Sequence, residues 1–562
     1  INLDHRLRDD FSLGFSSYYS RATRSDLDED LFFDLVNMAP DIDLTARDSA
    51  GNLNFEPDPI SRRPNPLYTI GTQDRRTKRN RFLGSATARY APTTWFSLDA
   101  NASYDRGDRQ SNFFLDRGAR AIDQTFDRIG GLELANAQTQ AFNGATTASL
   151  IGRRGDLTAR AAARAALERE NGNRFGYRGI DLLVPGVRNL NNVRSRLPVS
   201  DGFLDGEQQL EIRTTSYIGS LGLDYGGKYI VDALVRRDGS SLFGPDNRWA
   251  TFYRASASWR MGEESWFPLK RVFTEFKPRL SRGTAGSRPS FADQYETYNI
   301  DAAGNLVKAT LGNTFLRPEL ATETEGGVDM IIRDRFSLQL SYARTRTTDQ
   351  LLLLPLPAPA SGFESQWQNA GTLVGNTFEG TFEARMVARK DVSWNLGLVA
   401  DRTRNRITEF NRPCFITQVV LWRCAGTTLG TMYGARFAND VSQLVGVPAE
   451  RRGEFQRNDE GLLVWTGANR AYTAGAWGDT LSIGGRRYGF GLPIVVRDSA
   501  GNDVLGTIGD GNPAFRWGIT NNVRWRNLSA FVLVDAQVGG DVYNRTKQRM
   551  YQYYRSADVD QA

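Results

Sequence analysis

Along this chain, segments in which apolar and polar residues alternate come in pairs, and the pairs are joined by very short and very long connections in turn. That rhythm describes a run of antiparallel hairpins whose tight turns all leave one edge of a sheet while the long loops leave the other. In Phe96–Asp105 the residues Phe96, Leu98, Ala100, Ala102 and Tyr104 share one face, and Ser97, Asp99, Asn101, Ser103 and Asp105 share the other. The same period recurs at Phe336, Leu338, Leu340 and Tyr342, and at Val392, Trp394, Leu396 and Leu398. Trp517, Ile519, Val523 and Trp525 repeat it late in the chain, where Asn521 interrupts the apolar row.

The short joins carry turn chemistry: Arg8-Asp9-Asp10, Pro92-Thr93, Arg154-Gly155, Gly226-Gly227, Arg333-Asp334-Arg335, Lys390-Asp391 and Arg526-Asn527, with one longer join from Gly262 to Arg271. Wide gaps follow Arg21, Gly107, Glu170, Asp238, Gly286, Asp349 and Ile407. Short turns on one rim and long loops on the other are the signature of an outer-membrane barrel. About sixteen strands are expected, most of them longer than the roughly 9–11 residues that cross a bilayer. The fold class is therefore all-β, a large antiparallel transmembrane β-barrel. A soluble sandwich or propeller also alternates, but its strands are shorter and its loops show no two-sided length asymmetry.

Mean hydropathy is -0.45 and no apolar run approaches the length of a membrane helix, as expected where only alternate residues meet lipid. Tyr18, Tyr19, Tyr90, Trp95, Tyr225, Tyr229, Trp249, Trp259, Trp525 and Tyr543 fall near expected strand ends, where interfacial girdles form. The net charge is +6, with 70 Lys and Arg against 64 Asp and Glu, a mixed ionic surface rather than a nucleic-acid footprint. Asp156–Glu170 reads as a helix by its Ala and Arg content. Its strict alternation of Ala159, Ala161, Ala163, Ala165 and Leu167 against Arg160, Ala162, Arg164, Ala166 and Glu168 reads instead as a strand. The last strand is expected to end near Tyr543.

Cys414 and Cys424 are the two cysteines, and both fall in the longest loop, about Thr408 to Asn512. A local disulfide is the expected state in an oxidising compartment, stabilising the loop by up to roughly 3 kcal/mol. His5 is the single histidine and lies on the apolar face of the first strand, so the residues argue against zinc, haem and His-based catalysis; no cofactor is expected. The chain opens at Ile1 without initiator Met, basic n-region or apolar h-region, and reads as an internal fragment.

Several stretches resemble the SusC/RagA family of TonB-dependent outer-membrane transporters. The most specific is Lys228–Phe267, with RDGSSLFGPDNRW and the turn W-R-x-x-E-E. Asn65-Pro66-Leu67, LRPELATETEGGVDM from Leu316, YARTRTTDQLLLLPLPAPASGF from Tyr342, QNAGTLVGNTFEGTF from Gln368, GTMYGARFAND from Gly430, GDGNPAFRWGITNNVRW from Gly509 and GGDVYN from Gly539 follow in order. The resemblance implies a partial barrel domain over residues 1–562, belonging to a barrel of about 22 strands. The plug, the TonB box and the flanking strands would lie outside this sequence. It also implies a SusD-like surface lipoprotein, TonB with ExbB and ExbD acting through the plug, and oligosaccharide or peptide cargo. In the loop from Thr408 to Asn512, Trp422, Trp465, Trp477 and Tyr433, with Tyr472 and Tyr488, are candidates for stacking on sugar rings. A passive porin is the competing reading. An outer-membrane protease or lipase is disfavoured because His5 alone could serve a Ser-His or Asp-His pairing.

Overall fold

The computed structural model describes all residues except 27–30, 60–61, 123, 199–206, 245–246, 301–304, 468–478 and 553–562. The chain forms two compact units, the first comprising Ile1–Asp28, Ile70–Arg412 and Phe515–Gln537, the second Glu29–Thr69, Pro413–Ala514 and Val538–Ala562.

The first unit is a wall of hairpins closed by short turns. They are Asn2–Arg8 with Phe11–Ser25, Gln73–Tyr90 with Phe96–Leu115, Gly131–Arg154 with Leu157–Leu182, and Glu207–Tyr225 with Tyr229–Ser240. Trp249–Trp259 with Phe273–Ser287, Glu319–Ile332 with Phe336–Thr348, Thr372–Ala388 with Val392–Glu409, and Phe515–Trp525 with Leu528–Val538 follow. Together with the short Val193–Pro198 they make one seventeen-stranded sheet. Seven of the eight hairpins close through short turns and the long loops fall between hairpins; the exception is the 13-residue join from Trp259 to Phe273, which is longer than the join from Ser240 to Trp249. Gly226 and Gly227, at φ +62 and +68, are the left-handed pair in the three-residue join between Tyr225 and Tyr229, where Lys228 N–H donates to the Tyr225 carbonyl at 3.1 Å.

Cross-strand partners share a face, so the register extends one strand's alternation across the wall. Leu98, Ala100, Ala102 and Tyr104 face Tyr90, Ala88, Ala86 and Gly84 on one side, and Ala148, Thr146, Gly144 and Phe142 on the other. The ladder continues to Ala163, Ala165 and Leu167, then to Gly219, Tyr217 and Thr215. This is the outer, lipid-facing belt. Asn521, which interrupts it, accepts a 3.2 Å hydrogen bond from the Trp394 indole, so the polar group has its partner within the belt.

The upper limit of the belt slants across the ladder. Phe82, the last apolar residue of its outer row, stands opposite Arg106; Phe142 stands opposite Arg169, Leu167 opposite Thr215, Tyr217 opposite Arg237, and Phe378 opposite Arg402. At each of these crossings the limit drops two residues, about 6.6 Å; it drops again where Ala255 stands opposite Arg282, always in one sense. Averaged along the wall this is about one residue per strand, and with strands about 4.8 Å apart it is the slant of strands tilted by roughly 35° to a flat membrane boundary.

Two strands run well past the expected gaps: Phe96–Leu115 continues beyond Gly107, and Leu157–Leu182 continues beyond Glu170 as a strand of 26 residues. The Ala-rich stretch is thus strand, paired along both edges, because its neighbours supply a ladder that helix propensity cannot match. Above the belt the extension is held by small cores of a soluble kind, Phe114, Leu132, Leu182 and Val193 beside Phe113, Leu115 and Phe126. The run LLLLPLP forms the strand Leu351–Pro355 against Ser365–Asn369, which joins Leu306–Leu311 and Thr297–Ile300 in a four-stranded sheet knitting two long loops. The last strand stops at Val538 rather than near Tyr543, because Gly539 and Gly540 turn the backbone through φ +73 and +88.

The facing assignment predicts that Leu98→Arg or Leu340→Arg destabilises the wall by roughly 2–4 kcal/mol while Asn101→Arg on the ionic face is tolerated. Equal losses at all three positions in reversible unfolding from liposomes would show that the faces are assigned wrongly.

Candidate functional site: an ionic inner wall and a loop module

The inner face of the first unit is lined by acids and bases that answer one another across strands. Arg81 grips Asp105 through two contacts of 3.0 and 2.5 Å. Arg279 contacts both Glu325 and Asp329, and Lys277 lies 2.8 Å from Asp329. Arg516 meets Asp401 at 2.9 Å. These pairs arise because direct partners and their diagonal neighbours share a face, so alternation places every polar residue of a hairpin on one surface. The result is a wide polar wall of paired charges interleaved with Ser, Thr and Asn, without a field of one sign.

On the short-turn rim the W-R-x-x-E-E motif has a structural meaning that sequence reading left open. Glu264 accepts hydrogen bonds from the Tyr229 hydroxyl at 2.6 Å and the Trp259 indole at 3.2 Å, with Lys228 Nζ at 3.5 Å. It pins the longer join to two girdle aromatics, which themselves stack with centroids 5.9 Å apart. Around RDGSSLFGPDNRW, the preceding Arg236 pairs with Asp238 at 2.7 Å while Arg237 lies over the Trp249 ring; Pro245 and Asp246 fall outside the described residues.

In the second unit, the stretch from Pro413 to Ala514 carries its own core: Ala438, Leu444, Phe455, Leu463, Trp465, Leu481, Tyr488, Phe490 and Ile494. Trp465 is 6% exposed, packs edge-on against Phe490, and donates its indole N–H to Glu454 at 2.9 Å. Tyr488 is likewise in this core and meets Phe455 edge-on. These two of the candidate aromatics therefore build the module and present no open face. Trp422 and Tyr433 behave differently. They belong to adjacent strands of a small sheet and stack at 4.2 Å with an 11° tilt, both half-buried. Trp477 and Tyr472 lie outside the described residues. Cys414 and Cys424 form a disulfide across a Cα–Cα distance of 4.7 Å, closing the hairpin that carries Trp422. Among the described residues no group of three or more His, Cys, Asp or Glu is placed to hold a metal ion.

Asn65 of the NPL motif is fully buried. Its amide donates to the carbonyls of Leu44 and Asn54 at 2.7 and 3.1 Å, and its oxygen accepts from Leu67 N at 3.0 Å, capping the helix Pro66–Thr72 that Pro66 opens. The motif is architectural.

A tilted wall of hairpins with an apolar outer belt, an ionic inner face and all tight turns on one rim defines a large outer-membrane β-barrel. This chain belongs to the family described as TonB dependent receptor-like, beta-barrel, whose model matches residues 2–547. It is 25% identical to TonB-dependent receptor P26 of Formosa agariphila over 576 residues, covering 98% of this chain and 54% of that protein. It is 26% identical to SusC of Bacteroides thetaiotaomicron over 208 residues, covering 34% of this chain and 21% of SusC. The structure of the RagAB peptide transporter matches its fold with a TM-score of 0.71 at 16% identity, covering 95% of this chain and 56% of that one. The chain thus spans about half the length of P26. Its wall resides in the outer membrane, as a TonB-dependent receptor-like barrel.

The module's acid chemistry is testable. Hydrogen bonds from Arg451 and then Trp465 hold the Glu454 carboxyl below its usual range. A lowered carboxyl pKa stabilises the fold above the ordinary Glu value, about pH 4.3, and the contribution is lost as pH falls through the lowered value. Acid titration is expected to expose Trp465, read by its fluorescence, and Glu454→Gln is expected to flatten that response below the ordinary Glu value of about pH 4.3. An unchanged titration in the variant would remove Glu454 as the cause.

Proposed function

We propose that the full-length protein imports large polar nutrients across the outer membrane, with oligosaccharides as cargo and peptides as the second class. We read residues 1–562 as part of its barrel domain, with TonB, ExbB and ExbD supplying energy through a plug, and a SusD-like surface lipoprotein delivering cargo. The observation that carries this reading is the inner wall, which mixes both signs of charge and holds several of them in cross-strand pairs such as Arg81 with Asp105 and Arg516 with Asp401. Such a surface offers hydroxyls, amides and paired ions to a neutral polyhydroxy solute and holds no single-sign charge against it. The likeness to SusC and membership of the TonB-dependent family support the energised route over a passive pore. The Trp422–Tyr433 stack supports a sugar, since a flat aromatic pair on a disulfide-closed hairpin suits the apolar face of a pyranose.

Uptake of labelled oligosaccharides and peptides by cells expressing the full-length gene, with and without a protonophore, separates the readings. Import that survives collapse of the proton-motive force would favour the porin, and uptake of peptides alone would overturn the sugar assignment. Trp422→Ala is expected to weaken oligosaccharide binding about 2–10-fold, as loss of one aromatic contact does.

A further inference from the structure

The outer face of the wall carries a second feature that import does not use. Directly above the belt, on the long-loop side, Arg282, Thr324, Arg344, Asn376 and Arg404 stand opposite one another in five successive strands. The next row up places Arg346, Val374 and Arg406 side by side, and the row below runs Tyr342, Phe378, Arg402. Since Tyr342 and Phe378 belong to the lipid-facing belt, these six arginines point outward at the height where the belt ends. All six are exposed.

Their electrostatic setting contrasts with the inner wall. Outward positions on these strands alternate with inward ones, and Glu323, Glu325, Glu379 and Glu383 all fall on the inward set, paired with Thr345, Ala343, Ser341 and Ser337. Among the described residues, the outward carboxylate paired with these arginines is Glu409, 3.3 Å from Arg346. Among the described residues, Arg282, Arg344, Arg402, Arg404 and Arg406 have no ion-pair partner. Arg344 and Arg404 are two interstrand spacings apart, about 10 Å, with the Asn376 amide between them. Uncompensated guanidiniums held this close repel one another unless an anion sits among them, and the guanidinium fork matches phosphate oxygens in pairs. The opposite rim of the same outer face in this sector is aromatic instead, with Phe336, Trp394 and Trp525.

We propose that this patch binds the phosphate groups of a phosphorylated lipid of the outer leaflet, with Arg344 and Arg404 flanking one phosphate and Arg282 and Arg406 extending the site along the wall. The belt below would hold the acyl chains, so headgroup and tails are met by one continuous surface. Residues Tyr342 and Phe378 mark the join.

The test uses the full-length protein in detergent, titrated with diphosphoryl lipid A, with the same glycolipid after dephosphorylation, and with inorganic phosphate. Retention is read by native mass spectrometry and stabilisation by thermal unfolding. The phosphorylated lipid is expected to bind at least about tenfold more tightly than the dephosphorylated form, with affinity falling as salt rises. The triple variant R344Q/R404Q/R406Q is expected to lose that preference, while R160Q/R164Q on the inner face keeps it. Equal binding of the two glycolipids by the wild type would overturn the proposal without any variant. So would a triple variant that keeps the preference, or inorganic phosphate that stabilises as strongly as the lipid, which would indicate a free-anion site.

Discussion

The backbone ladder through the belt is the constraint on which the rest of this structure depends. In hydrocarbon no water can satisfy a freed N–H or C=O, so each must be paired inside the sheet. The irregularities obey this. Register shifts occur between Arg6 and Arg8, Phe273 and Glu275, Thr372 and Leu373, and Arg385 and Val387, all close to strand ends. From Leu98 to Tyr104 and from Leu338 to Tyr342 the pairing with both neighbours is unbroken. An unbroken ladder fixes register, and register then fixes which side chains share a face. The apolar belt, the ionic inner wall and the arginine rows all follow from that one requirement.

The belt also shows how bulky and small residues are distributed to keep the ladder straight. At Gly84 an added Cβ would meet the Phe82 ring at 3.2 Å, and at Gly144 it would meet the Phe142 ring at 3.3 Å. Each glycine lies two residues from its aromatic on the same strand and face, so the ring leans along the strand over a position with no side chain. A ring that lies down occupies the interface without pushing its neighbours apart. The same arrangement recurs between strands, where Trp249 lies against Gly239 at 3.0 Å. Aromatic girdle and glycine are thus one device.

Much of this was legible in the sequence, because lipid on one side and water on the other write a two-residue period into every crossing. The hairpin turns, the sixteen-strand count and the strand at Ala159–Leu167 were readable for that reason. Strand ends were not. Past Tyr104 and Leu167 both faces of the sheet meet water, the outer row changes to Arg106 and Arg169, and the alternation fades although pairing continues to Leu115 and Leu182. Hydrophobic period measures the membrane rather than the strand. Loop function was hidden for a different reason: composition cannot separate an aromatic that builds a core from one that faces a solute. Trp465 and Trp422 look alike in sequence, yet one is sealed beside Phe490 and the other stacks half-buried on Tyr433.

The arginines make the same point about charge. Arg279, on an inward position, is surrounded by Glu325 and Asp329, and its charge is cancelled within the wall. Arg344 and Arg404, on outward positions, have only Asn376 between them. Both kinds of site come from the parity of the register, since a shift by one residue would exchange them. Cancelled charge on the inward face leaves a surface that a polar solute can pass without being trapped. Uncancelled charge on the outward face of this sector, at the height where the belt stops, leaves a demand for anions that the described residues do not themselves supply. In this sector one alternating pattern therefore sets two electrostatic regimes back to back, because Glu323, Glu325, Glu379 and Glu383 face inward, whereas farther along the outer face Arg106 and Arg169 are paired with the outward Asp108 and Glu211.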